Sequence, residues 1–283
     1  MDLRSLRAFI FDLDGCVYVG ETLVPGVLAV LERLRRDGRR ILFLTNNSRE
    51  DGAALQVKLT RLGIRAECEE ILSGAEATGP YIRKRFGPAR LLAIGSETFR
   101  RLLAEAGHQL VALEEPHETR VVVIGHDFEF DYRKLTILAR AVKGGAAFVA
   151  VNVDPHLPVE HDQFFPGCGA LVAAVSLASG VRPEVVGKPN PTLFAAALAR
   201  IEVSPREAVM VGDSLNSDVR GAQAVGLHTI WLAPPGVDPG EVQPDLTIRS
   251  FAELEALLLE AADGGQSAES PMTRKGKQPA DGL

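Results

Sequence analysis

The sequence predicts an α/β protein whose strands run parallel and are covered on both faces. Two patterns predict it. Strand-length runs such as AFIFDL (8–13), RILFLT (40–45) and AVMVGD (208–213) are apolar nearly throughout, as strands buried on both faces are. Segments with apolar residues at helical spacing separate them, so strand and helix alternate along the chain. In a third pattern, polar clusters stand where strand-like runs end, which is where ligands bind in an open parallel sheet.

Taken in order, AFIFDL is read as the first strand and GVLAVLERLRRDG (26–38) as an amphipathic helix that stops at Gly38. RILFLT is the next strand. DGAALQVKLTRLG (51–63) is a helix with Asp51 as N-cap and Gly63 as stop. RLLAIG (90–95), RVVVIG (120–125) and AAFVAVN (146–152) are strands, and SETFRRLLAEAG (96–107) and DYRKLTILARAVKGG (131–145) are helices. GCGALVAAVSLASG (167–180) lacks the third glycine of a dinucleotide fingerprint and follows no clean strand, so it is read as a helix with a Gly-rich start. AVMVGD, SDVRGAQAVG (217–226) and HTIWLA (228–233) give a closing strand–helix–strand unit, with the single tryptophan, Trp231, in the core.

The polar clusters belong to the first and last units. Residues 80–183 are α/β but poorer in such clusters, and are expected to form an inserted second domain. The Gly/Ser/Pro-rich stretch 263–283 is expected to be a disordered tail.

At 283 residues the chain can bury a substantial core, and its 46% hydrophobic and 24% charged residues are those of a globular protein. A net charge of -6 argues against nucleic acid or an anionic membrane as partner. Cys16, Cys68 and Cys168 are odd in number and show no metal-ligand spacing, which points to a reducing compartment without disulfides or zinc. Without a signal-like or bilayer-length apolar run, the expected location is cytoplasmic. Homo-oligomerisation is left open.

Four clusters carry the chemistry: Asp12 and Asp14; Thr45, Asn46 and Asn47; Lys188; and Asp213 with Asp218. Each has an ordinary alternative, as a surface turn or a helix cap. Together, each following a strand-like run, they are expected to converge on one crevice. Carboxylates without Cys or His make a hard oxygen site that suits Mg²⁺ over zinc. Adding a lysine and a hydroxyl describes phosphoryl transfer. The cation also answers why two aspartates are aimed at one spot: unaided carboxylates repel a phosphate dianion, by roughly 4 kcal/mol per charge pair at about 4 Å near a surface. His156 and His161 stand five apart in an irregular segment and do not read as a metal pair.

In order, DLDG, LTNNS, GKPNP and GDSLNSD resemble the four motifs of the haloacid-dehalogenase-like hydrolases. VVVIGHDFEFDYRKLT, FVAVNVD and PGCGALVAAVSLASG resemble the cap region of the NagD-like, p-nitrophenyl phosphatase-like branch, subfamily IIA. The resemblance covers about residues 7–260. It implies a Rossmann-like doubly wound core, 1–79 and 184–262, split by an α/β cap, 80–183. Asp12 would attack phosphorus to give an aspartyl phosphate, and Asp14 would protonate the leaving alkoxide and then activate water. Asp12, the backbone carbonyl of Asp14 and Asp213 would hold Mg²⁺, with Asp218 supporting them. Thr45, Asn46, Asn47 and Lys188 would contact phosphate, and His156 would lie near the leaving group. Cys16 stands where many relatives carry a β-branched residue, and Val151 where threonine is common. The expected activity is Mg²⁺-dependent hydrolysis of small phosphomonoesters: sugar phosphates, nucleoside monophosphates or p-nitrophenyl phosphate-like esters. Phosphoglycolate or pyridoxal phosphate hydrolysis is an alternative, and a catalytically silent binding protein on the same fold is one of another class. Carbon–halogen hydrolysis fits poorly, because displacing halide does not need the acid Asp14.

Overall fold

The computed structural model describes residues 1–158 and 163–263. Six parallel strands form the first sheet, in spatial order Leu246–Ile248, His228–Leu232, Ala208–Gly212, Ala8–Phe11, Arg40–Thr45 and Ile71–Ser73. Numbered along the chain within this sheet, the order is 3-2-1-4-5-6 from the Ile71 edge, the doubly wound arrangement. Five parallel strands form a second sheet: Glu184–Val185, Ala147–Ala150, Val121–Ile124, Arg90–Ile94 and Gln109–Leu110. Two short antiparallel ribbons complete the strands, Tyr18–Val19 with Thr22–Leu23 and His156–Pro158 with Phe164–Pro166.

Alternation along the strands decides what each face of the first sheet buries. Phe9, Phe11 and Phe43 pack with Val27, Val30, Leu31 and Leu34 of helix Val27–Arg36, and with Phe251, Leu254 and Leu258 of helix Phe251–Asp263. The spacing i, i+3, i+4, i+7 places those four residues on one helical stripe. Ala8, Ile10, Leu42 and Met210 face the other way, onto helices Gly74–Phe86 and Pro191–Ile201. That same apolar cluster includes Leu91, Val121, Val123 and Val149 of the second sheet, so one body of buried side chains runs through both sheets. Asp51 is the N-cap expected of it, accepting from Ala54 N–H at 3.0 Å, and Ser96 and Asp131 cap their helices in the same way, from Phe99 N–H at 3.1 Å and Lys134 N–H at 2.7 Å.

Three elements differ from the sequence reading. The strand before Lys188, Glu184–Val185, pairs with Val149 and Ala150 in the second sheet, so the Lys188 loop returns to the site from there. The segment after Asp213 opens as a wide turn, Leu215–Arg220, before helix Gly221–Ala224, and Ser214 caps it by accepting from Ser217 N–H at 3.2 Å. Asp263, assigned to the tail, closes a helix, while 264–283 and His161 lie outside the described residues.

Candidate active site

The chain order of the first sheet reverses between Ala8–Phe11 and Ala208–Gly212, which pair directly. Asp12 and Asp213 are the residues that leave these two strands, so the switch-point crevice opens between them. Asp12 N–H still donates to Val211 O at 2.9 Å, extending the ladder by one residue. Beyond it the chain turns: Leu13 O accepts from Val17 and Tyr18, and Gly15 N–H donates to Tyr18 O at 2.8 Å. Gly15 has φ +91°, and a Cβ there would collide with the Asp213 carboxylate. The glycine thus lets the Asp12–Asp14 turn lie against Asp213.

Lys188 is 1% exposed. Its Nζ sits 2.7 Å from Asp12 Oδ1 and 2.7 Å from Asp218 Oδ1, and donates to Leu44 O at 3.1 Å. The resemblance gave this ammonium to phosphate; in the structure it bridges two carboxylates and a strand end. Burial disfavours its charge, but Asp12 and Asp218 outweigh that and hold its pKa above the ordinary lysine value. Asp218 Oδ2 accepts from Ser214 N–H at 3.0 Å, so both its oxygens are engaged.

Oxygens of Asp12, Asp213 and Asp218 lie within 4.8 Å of one another. Burial, and then the charge of Asp218, raises Asp12 well above the usual carboxylate range and pushes Asp213 up to about 7. Burial also raises Asp14, against the opposing charges of Lys58 and Lys188. Three carboxylates share a single ammonium, and the buried Asp213 Oδ1 has no hydrogen-bond partner among the described residues. An all-oxygen set with surplus negative charge and an orphaned carboxylate oxygen fits a hard divalent cation.

Thr45 Oγ1 accepts from Asn47 N–H at 3.0 Å and stands 3.5 Å from Asp14 Oδ2. Asn46 works as a clamp: its Nδ2 donates to Asp154 Oδ2 and to Lys188 O, both at 3.0 Å, and its Oδ1 accepts from Lys188 N–H at 2.7 Å. Its own carbonyl accepts from Asn152 Nδ2 at 2.7 Å. Asn47 closes the loop after it, its Oδ1 accepting from the N–H groups of Arg49 and Glu50. The amides of both asparagines therefore serve the scaffold. Trp231 is core, as expected, but its Nε1 also donates to Asp213 O at 2.8 Å and steadies that loop. Cys16 is fully buried and packs in the core beneath the site.

Asp12, Asp14, Thr45, Asn46, Asn47, Lys188 and Asp213 line one cleft of about 880 Å³, which extends to Asn152, residues 154–157 and Gln163 beside the second sheet. His156 lines it from the antiparallel ribbon, its ring 4.1 Å from that of Phe164. The sequence reading assigned no role to Asp154, Arg49, Lys58 or His126, which also line it. Asp154 sits in the cap stretch FVAVNVD and Arg49 directly follows TNNS, so adjacency to the motifs was their signal. Lys58 is one helical residue among many and carried none.

The haloacid dehalogenase-like hydrolase family matches residues 9–109, and the HAD-hydrolase-like family matches 185–254. An acid sugar phosphatase of Staphylococcus aureus (strain MRSA252) is 34% identical over 230 residues, 81% of this chain and 87% of that protein. The crystal structure of a 4-nitrophenylphosphatase from Thermotoga maritima superposes with TM-score 0.82 at 27% identity, covering 90% of this chain and 98% of that one. A glycerol phosphate phosphatase from Mycobacterium tuberculosis, solved in complex with magnesium, superposes with TM-score 0.80 at 32% identity, covering 88% and 76%. The chain belongs to the haloacid-dehalogenase-like hydrolases, in the NagD-like, p-nitrophenyl phosphatase-like branch (subfamily IIA), and is a phosphoric monoester hydrolase of small phosphorylated substrates.

Proposed function

We propose that Asp12 is the nucleophile of a Mg²⁺-dependent phosphomonoester hydrolysis. The observation that carries this reading is the asymmetry of its carboxylate: Oδ1 meets Lys188 Nζ at 2.7 Å and accepts from Leu13 N–H at 2.8 Å, which leaves Oδ2 to attack phosphorus. Lys188 opposes the burial and the Asp218 charge that raise the Asp12 pKa, and a bound cation would further favour its ionised form. Attack in line displaces the alkoxide and leaves a mixed anhydride that water cleaves, splitting one slow step into two. Asp14 carries the proton: its raised pKa favours the protonated form that the departing oxygen requires, and the resulting carboxylate then takes a proton from water. Thr45 Oγ1, 3.5 Å from Asp14 Oδ2, would donate to a phosphate oxygen. Asn46 and Asn47 hold the loop, and so act on phosphate through position.

Asp12, the Asp14 carbonyl and Asp213 would hold the magnesium ion, whose positive charge offsets that of the phosphoryl oxygens. The second sheet would serve as the cap expected over 80–183, with Glu184–Val185 counted with it, and His156 would meet the leaving group. The test is p-nitrophenyl phosphate hydrolysis by the full chain, with Mg²⁺ and with EDTA. Turnover with Mg²⁺ is expected, together with a loss of roughly a thousandfold or more in Asp12→Asn. Near-wild-type turnover in that folded variant contradicts the assignment, and an inactive wild-type protein leaves the binding-protein alternative standing.

A further inference from the structure

Asp12, Asp213, Lys188 and Asp14 occupy the chemical end of the cleft, yet two more cations line its wall. Arg49 follows the TNNS segment, and Lys58 lies on helix Gly52–Arg61. Each is set on an aromatic face: the Arg49 guanidinium carbon is 4.4 Å from the Phe128 ring centre, and Lys58 Nζ is 3.9 Å from that of Tyr18. Arg49 is also fixed through its backbone, donating N–H to Asn47 Oδ1 at 2.8 Å and accepting from Ser96 Oγ at 2.6 Å. Among the described residues neither cation has a carboxylate within 4.0 Å. Elsewhere the chain pairs its arginines freely, as with Arg33–Asp37 at 2.7 Å and Arg35–Glu70 at 2.7 Å. The acidic side chains on the same wall are engaged: Glu21 pairs with Arg61, and Glu50 accepts from Asn47 Nδ2 at 2.9 Å. Nearby His126 is buried and held below the ordinary histidine pKa, by burial and then by Arg49, which favours its neutral form.

An aromatic platform fixes a cation's position without neutralising it, and a stacked guanidinium still presents its N–H fork to an oxyanion. Arg49 and Lys58 line the same cleft as Asp14, the residue proposed above to protonate the leaving oxygen. We infer that Arg49 and Lys58 form a subsite for a second anionic group on the leaving alcohol, a carboxylate or a further phosphate. This rests on the phosphatase reading above and narrows its substrates to small phosphorylated acids and bisphosphates.

The test compares kcat/KM within two matched pairs: 3-phosphoglycerate against glycerol 3-phosphate, and propane-1,3-diol bisphosphate against 3-hydroxypropyl phosphate. In the wild-type protein the anionic member is expected to be favoured by roughly ten- to a hundredfold, the size of a charge-assisted contact, in at least one pair. Whichever pair shows it identifies carboxylate or phosphate as the preferred group. Arg49→Glu and Lys58→Glu should each bring that ratio toward or below one, mainly through KM. Should either variant fail to fold, the wild-type ratio measured from about 50 to about 500 mM NaCl gives the same information, since screening should shrink it. Ratios at or below one in both pairs, or a ratio insensitive to both charge reversals and to salt, overturn the inference. p-Nitrophenyl phosphate separates the two failures: a wild-type protein that hydrolyses it with Mg²⁺ yet shows ratios near one defeats only the anionic subsite, whereas no Mg²⁺-dependent turnover of any ester defeats the phosphatase reading as well.

Discussion

Asp14 differs from Asp12 in its surroundings more than in its chemistry. Asp12 touches Lys188, whereas Asp14 has the Thr45 hydroxyl at 3.5 Å and feels two lysines only at a distance. Lys188 thereby opposes protonation of Asp12 at close range, whereas burial biases Asp14 toward the protonated form that an acid requires. Asp14→Asn should lower kcat for alkyl phosphates far more than for p-nitrophenyl phosphate, whose leaving group needs little protonation. Paired steady-state rates check this, and equal losses on both would count against the acid role. Residue identities at this scale were legible because carboxylate, hydroxyl and amine in fixed order have few joint uses. The partners were less legible. Asn46 read as a phosphate ligand, yet its amide ties Lys188 to Asp154, 108 positions away, through contacts that no local pattern encodes.

Among the elements, the turn after the first strand has the least freedom. Gly15 holds a positive φ, and its missing side chain is what admits Asp213. Gly15→Ala should therefore leave most of the fold in place, weaken Mg²⁺ dependence and lower p-nitrophenyl phosphate turnover by about a hundredfold or more. Metal titration of the rate checks it, and unchanged half-saturation by Mg²⁺ would show that the turn does not position Asp213. Long periodic helices and apolar strands such as Val27–Arg36 and Arg40–Thr45 lie where the sequence placed them. The strand before Lys188 did not reveal its sheet. A two-residue strand carries too little pattern to say which neighbour it joins, and tertiary pairing with Val149 and Ala150 decided it. The wide turn Leu215–Arg220 was hidden for a similar reason: its bend brings Asp218 back to Lys188 and Ser214, and the driving contacts are remote or backbone.

For the molecule as a whole, the cleft gathers more carboxylates than its one buried ammonium can balance. The sign of the consequence follows from linkage. Asp213 has a folded pKa of about 7 against 3.8 ordinarily, so the folded state holds its proton more tightly than the unfolded chain. Metal-free stability should fall as pH rises through roughly 4 to 7, because ionising this buried carboxylate then costs the folded state. Mg²⁺ held by Asp213 as proposed would require the ionised form, so it should raise the melting temperature more at pH 8 than at pH 5. Thermal melts with EDTA or Mg²⁺ at both values check this, and a larger shift at pH 5 would contradict it. The doubly wound architecture was legible from alternating strands and helices. That the two sheets share one apolar cluster was not, since Leu91 and Val149 read equally well as the core of a separate body.

The claim on which the mechanism turns is a covalent bond between phosphorus and residue 12. Enzyme quenched in acid during turnover of a good substrate, reduced with borohydride and digested, should yield homoserine in place of Asp12 by peptide mass spectrometry, since borohydride reduces an acyl phosphate and spares a free carboxylate. Homoserine at position 12 that requires both substrate and Mg²⁺ is the expected result. An unmodified Asp12 under turnover, or reduction at another carboxylate, would contradict it.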